Sequence, residues 1–185
     1  HSGPGSLIFA IQILDDNFAL VKKRVLDLCQ EMIRKRLNLK WVVGQGISVG
    51  STDYEMFKLM KEAGCLMVSI GVESVSQKVL DNIGKKTTIE KIERTIAAGK
   101  KAGLMVKAFF INGLPGATPI TEMESIEFFK KNKIDLPRYS NAIPFPGTTL
   151  YEWVSENGRF LIDTNTMMSK ISHTPGMLPS VNITP

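Results

Sequence analysis

Short apolar runs alternate along the chain with longer stretches whose apolar residues recur every three or four positions. Residues 7–14 (LIFAIQIL) are short, apolar and β-rich, which predicts a strand. Over residues 18–37, Val21, Val25, Leu28, Cys29, Met32 and Ile33 fall at helical spacing. Asp15, Asp16 and Asn17 lie between these two elements, where they can cap the helix. A second strand is predicted at residues 40–43, then a Gly/Ser-rich loop, then a helix at 54–63 with Ser51 or Thr52 as its N-cap and Gly64 as its stop. A third strand at 65–72 leads to a short helix ending near Ile83, capped by Ser74 or Ser76. Thr87 or Thr88 then caps a helix over residues 89–102. A fourth strand spans 105–111, followed by a loop and a helix at 121–131. A fifth strand at 138–143 turns through Pro144, Pro146 and Gly147 into a helix at 150–157.

The pattern is therefore β-α repeated five times. Alternating units of this kind predict an α/β fold, with parallel strands and outer helices. Periodicity leaves open whether the strands form an open doubly wound sheet or a barrel wall. In both, ligands sit beyond the C-terminal ends of the strands.

The unusual residues gather at those ends. Asp15 and Asp16 follow the first strand, and Gly44, Gln45 and Gly46 the second. Glu73 and Ser74 follow the third, Gly113, Leu114, Pro115 and Gly116 the fourth, and Ile143 and Pro144 close the fifth. Exposed backbone and polar groups at one rim suit a ligand-binding face. Each also has a plainer reading. The aspartates can be helix caps, Glu73 a first-turn helix acid, and residues 113–116 or 145–147 ordinary turns. A dinucleotide fingerprint is a further alternative, because Gly44, Gly46 and Gly50 follow a strand and Glu73 ends the next. Against it, the helix starts only near Asp53, too late for those glycines to present its N-terminus to a pyrophosphate.

Composition adds limits. With 43% hydrophobic and 22% charged residues in 185, this is globular composition, enough for one domain with a sizeable core. No apolar run approaches the ~20 residues of a membrane span, so no membrane role is expected. Residues 1–6 (HSGPGS) read as an expression-tag remnant, and residues 161–185, rich in Thr, Ser, Asn, Met and Pro, as an irregular tail. The net charge of +5 comes from lysines and arginines scattered over helix faces, with no aromatic platform interleaved for nucleic acid. The two cysteines, Cys29 and Cys65, are too few and too far apart for a metal motif. They read as buried, reduced thiols, which fits a cytoplasmic location.

Five segments carry a resemblance. IQILDDNF at 11–18, MKEAGCLMVSIGVES at 60–74, VLDNIGKKTT at 79–88, AGKKAGLMVKAFFINGLPG at 98–116 and PFPGTTLY at 144–151 resemble, in order and spacing, segments of radical SAM iron–sulfur enzymes of the elongator-like and cobalamin-associated branch. The resemblance covers residues 7–160. It implies a partial (βα)6 radical SAM (TIM-like) barrel, of which this chain carries about strands two to six. In that family a C-x-x-x-C-x-x-C loop holds a 4Fe–4S cluster, and S-adenosylmethionine (SAM) is cleaved reductively to a 5′-deoxyadenosyl radical that takes hydrogen from substrate. A reductant such as flavodoxin or ferredoxin supplies the electron, and some members carry a cobalamin domain.

By the same resemblance, Asp15 and Asp16 stand at the methionine amino end of SAM. Glu73 and Ser74 stand near its ribose and methionine contacts. Gly113, Leu114, Pro115 and Gly116 let backbone approach the adenosine, and Ile143 and Pro144 border adenine. No catalytic residue and no metal ligand is assigned. The chain departs from the family in three places. It contains no C-x-x-x-C-x-x-C, Gln45-Gly46-Ile47 stands where an arginine is common, and Ala117 replaces a glutamate. The expectation is an inactive fragment of an oxidoreductase whose substrate is unknown, with an open barrel edge through which two copies pair. The alternative from another class is a non-catalytic βα nucleotide-binding domain, a degenerate homologue without a cluster. A nicotinamide dehydrogenase is the third.

Overall fold

The computed structural model describes residues 10–158 and residue 160. Residues 1–9 and 161–185, and with them the start of the first expected strand, the tag remnant and the irregular tail, lie outside the described residues. Five strands form one parallel sheet: β1 (Ile11–Ile13), β2 (Trp41–Ile47), β3 (Cys65–Glu73), β4 (Met105–Asn112) and β5 (Leu136–Asn141). Helices α1 (Lys22–Arg34), α2 (Tyr54–Glu62), α3 (Gln77–Asn82), α4 (Ile89–Lys101), α5 (Pro119–Lys131) and α6 (Thr149–Asn157) connect and follow them.

The strand order is β1-β2-β3-β4-β5. A doubly wound sheet changes direction at a switch point, so its strand order is not sequential. Sequential parallel order is that of a barrel wall. The nucleotide fingerprint fails for a local reason too, because Gly44, Gln45 and Gly46 are inside β2 rather than in a loop after it. Along β2 and β3, Val43 pairs with Val68 but Ile47 pairs with Ile70. β2 thus spends four residues where β3 spends two, a bulge that glycine accommodates. At Gly44 the space a Cβ would take is filled by the Gln12 side chain of β1, which would have to shift to admit one.

Two further expectations are corrected by capping geometry. Residues 49–51 form a short 3-10 turn, so the cap of α2 is Asp53, whose carboxylate accepts the Met56 N–H at 3.0 Å. Neither Ser51 nor Thr52 can reach that position. α3 begins after Ser76, which caps without its side chain. Thr88, not Thr87, caps α4 by accepting the Lys91 N–H.

The chain divides into two compact units. Among the described residues, the first takes those up to Val72, Thr87–Phe109 and Glu127–Arg138. Its core holds Val25, Cys29, Trp41, Met56, Phe57, Met60, Val68, Ile92 and Ile96, all 0–1% exposed. Helix α1 packs on α2, and α2 on α4. Each large side chain buried this way contributes about 1.5–3 kcal/mol. The Trp41 indole N–H stays satisfied by donating to Ala63 O at 3.0 Å.

The second unit takes Glu73–Lys86, Phe110–Ile126 and the described residues from Tyr139 onward. It consists of the C-terminal ends of β3, β4 and β5 together with the loops and helices that leave them. β1 lies at one edge of the sheet, and Ile11 and Leu14 there are exposed. No helix among the described residues is long and apolar enough to cross a membrane.

Candidate functional site

Glu73 ends β3 with φ +64°, in the left-handed region. A side chain there costs about 1–3 kcal/mol, and such residues cluster at functional sites. It is therefore a strand-end residue and not a first-turn helix acid. Its Oε1 accepts a hydrogen bond from Lys85 Nζ at 2.8 Å, and the two side chains are only 22% and 25% exposed. A carboxylate and an ammonium are thus held side by side at the rim. Ser74 is buried at 9% exposure, and its Oγ accepts the Ser76 N–H at 3.2 Å, fixing the turn into α3.

The loop after β4 is held from both sides. The Gly113 N–H donates to Glu122 Oε1 of α5 at 2.6 Å, and Gly113 adopts φ +75°. Asn82 Nδ2 at the end of α3 donates to Pro115 O at 3.0 Å, and the Ala117 N–H donates to Leu114 O at 2.9 Å. Leu114 and Pro115 are buried. The loop backbone is therefore tied to α3, to α5 and to itself. Ile143 and Pro144 follow β5, just beyond the Ala142 N–H that donates to Asn112 O at 2.8 Å. Pro144 is buried and Ile143 half-buried.

A cleft of about 630 Å³ in this second unit is lined by Asn82, Ile83, Gly84, Leu114, Pro115, Thr149, Leu150 and Trp153. Of the expected residues it gathers only Leu114 and Pro115. Glu73, Ser74, Gly113, Gly116, Ile143 and Pro144 do not line it. Asn82 is already committed to Pro115 O, so the charged chemistry of the rim lies with Glu73 and Lys85 and not in the cleft.

Asp15 and Asp16 belong to the first unit. Asp15 caps no helix: its carboxylate accepts the Asn17 N–H at 2.9 Å and the Arg24 guanidinium at 2.9 Å. Asp16 is exposed and has no hydrogen-bond partner among the described residues.

Lys85 was not among the residues expected from the sequence. Its signal was the lysine of the segment VLDNIGKKTT, twelve residues after Glu73, to which spacing alone gives no partner.

The residues present do not fit an iron–sulfur cluster. Burial pushes the Cys29 thiol up to about 11 and the Cys65 thiol up to about 12, so both stay protonated near neutral pH. No group of three or more His, Cys, Asp or Glu among the described residues could hold a metal ion.

Known proteins resemble this chain over most of its length. The family described as the radical SAM superfamily matches residues 12–129. An uncharacterized methyltransferase of Pyrococcus horikoshii is 35% identical over 82% of this chain and 32% of its own length. The anaerobic magnesium-protoporphyrin IX monomethyl ester cyclase of Rubrivivax gelatinosus is 28% identical over 76% of this chain and 25% of its own. The chain thus spans about a third or less of these relatives. Among solved structures, the radical SAM methyltransferase TsrM of Kitasatospora setae, with cobalamin and a 4Fe–4S cluster bound, superposes with a TM-score of 0.69 at 22% identity, over 78% of this chain and 30% of that one. With a parallel barrel-wall sheet, a strained acid at the end of β3 and a family match over more than half of its length, the chain belongs to the radical SAM superfamily.

Proposed function

We propose that this chain is the SAM-positioning part of a radical SAM enzyme that transfers a methyl group or closes a ring on its substrate. The observation that carries the reading is the Glu73–Lys85 pair at the end of β3. The amino-acid end of SAM is a zwitterion. Glu73 suits its ammonium or a ribose hydroxyl, and Lys85 suits its carboxylate. The Gly113, Leu114, Pro115 and Gly116 backbone, held by Glu122 and Asn82, supports the adenosine, and Ile143 and Pro144 border the adenine. Ser74 keeps the turn beside Glu73 in place. Asp15 and Asp16 face the methionine amino end, Asp15 sharing its carboxylate with Arg24 and Asp16 bearing an exposed one.

The chemistry a 4Fe–4S cluster would supply is one-electron reduction of the sulfonium, and Cys29 and Cys65 are not placed to hold it. A low-potential donor such as ferredoxin or flavodoxin would feed it. Methyl transfer is supported by the methyltransferases among the relatives, and cobalamin by the descriptions of TsrM and of the cobalamin-dependent enzyme OxsB, which superposes with a TM-score of 0.56. The open edge at β1, with Ile11 43% and Leu14 73% exposed, is the surface through which we expect two copies to associate.

The test uses the full-length protein, reconstituted anaerobically with iron and sulfide and assayed for 5′-deoxyadenosine with SAM and dithionite. Product that depends on bound iron supports the reading. A full-length protein that binds no iron and forms no product overturns it and leaves a nucleotide-binding domain.

A further inference from the structure

The two faces of β4 and β5 differ sharply in charge. Phe110 and Tyr139 stack at 5.0 Å, and the Tyr139 hydroxyl accepts from Ser125 Oγ of α5 at 3.2 Å. These residues mark the face turned to the helix. Side chains alternate along a strand, so Lys107 and Phe109 of β4 and Arg138 of β5 occupy the opposite face. The strands are hydrogen-bonded neighbours, and just before β5 the Asp135 N–H donates to Val106 O at 3.0 Å.

No carboxylate among the described residues pairs with Lys107 or Arg138. The nearest acid along the ladder, Asp135, is committed elsewhere: both its oxygens take Lys100 Nζ, at 2.6 and 2.7 Å, and one also takes the Val106 N–H. Lys107 is half-buried, with its ammonium 4.7 Å from the centroid of the Phe109 ring. An aromatic face holds a cation in place without neutralising it. Burial, together with the neighbouring positive charge of Arg138, pulls the Lys107 ammonium below the usual lysine range. Two like charges kept close with no counter-ion are an unfavourable arrangement that an anion relieves. Some exposed cations of the helices, by contrast, sit in ion pairs, Lys23 with Asp27 and Arg34 with Glu31.

We propose that Lys107 and Arg138 form an oxyanion-binding site on the face of β4 and β5 opposite α5, taking a carboxylate or phosphoryl group of the substrate. That the anion belongs to a substrate rests on the proposed enzyme function; the anion site itself does not. A guanidinium offers paired donors and the lysine a point charge, which together hold two oxygens of one group.

The test titrates inorganic phosphate and, separately, succinate into the 15N-labelled 185-residue chain and follows the amide signals of Lys107 and Arg138. Saturable shifts are expected with one of the two anions, and which one saturates names the group as phosphoryl or carboxylate. Lys107→Met and Arg138→Gln should each weaken binding at least about tenfold. Lys23→Met, at a side chain 83% exposed and paired with Asp27, is the control that leaves it intact. Because Arg138 is exposed, its variant reads the site even if Lys107→Met fails to fold. Absence of saturable shifts with either anion, or binding that survives Arg138→Gln, overturns the proposal. No SAM is present, so failure here is separate from failure to form 5′-deoxyadenosine.

Discussion

The ends of β3 and β4 solve the same backbone problem in opposite ways. Both strands leave the sheet through a left-handed residue, Glu73 at φ +64° and Gly113 at φ +75°. Glycine adopts that conformation without penalty, and glutamate does not. At β4 the left-handed residue carries no side chain, and its N–H donates to Glu122. At β3 the left-handed residue keeps a side chain, and its carboxylate accepts from Lys85 Nζ. On the function proposed above, the strained residue is where a side chain meets SAM and the glycine is where main chain does.

The comparison can be broken most directly at Glu73. In the reconstituted full-length protein, Glu73→Ala should cut the rate of 5′-deoxyadenosine formation at limiting SAM by at least about tenfold, the size of one lost charge-assisted hydrogen bond. Unchanged turnover would make Glu73 a structural residue. At Gly113 the effect should appear in stability instead. Gly113→Ala meets no atom within 4 Å, so only the backbone conformation is penalised, by about 1–2 kcal/mol in denaturant unfolding. Glu122→Gln keeps the shape but removes the charge that accepts the Gly113 N–H, and should lower stability by about 1 kcal/mol. Glu73→Gly should do the reverse, holding or raising stability by up to about 1 kcal/mol while losing activity. That opposition is what separates strain kept for function from strain that is incidental.

The smallest effect concerns Asp135, an acid whose role is structural. Burial alone would raise its carboxyl, but the Lys100 ammonium and the Val106 N–H outweigh burial and hold it below the usual range. Its folded value lies below the unfolded one, so its contribution is present above about pH 4 and is lost as pH falls through the folded value. Asp135→Asn should flatten the acid limb of a stability–pH curve measured by chemical denaturation, leaving the curve near neutral pH parallel to that of the parent.

Much of the fold was legible because its signals are local. The helical spacing of Val25 and Cys29, the threonine that caps α4 and the strand at Cys65 each depend on residues a few positions apart. β2 runs further than its apolar pattern because Gly44-Gln45-Gly46 has the composition of a loop and the pairing of a strand. That pairing with β3 through a bulge, and the Gln12 side chain filling the space beside Gly44, are tertiary facts. The cap of α2 is displaced for a similar reason, since the 3-10 turn at Val49–Ser51 consumes the residues that composition offers as caps. At the rim, Glu73 stands out by its place at a strand end, whereas Lys85 is one lysine among several in its segment. Asp15 shows a different limit: strand-end position suggests a ligand contact, and only the structure shows that Arg24 pairs with the same carboxylate.

By itself the sequence determined the alternation of strands and helices, the order of the five family segments and the gathering of polar residues at strand ends. These come from periodicity and turn chemistry, which act over a few residues. Only the tertiary structure decided the sequential order of the parallel strands, the left-handed backbone that sets Glu73 against Lys85, and the placing of Lys107 and Arg138 on neighbouring strands with no carboxylate paired to either among the described residues. Those depend on which segments the packed core brings together. Charge partners twelve or thirty residues apart leave no periodic trace in the chain.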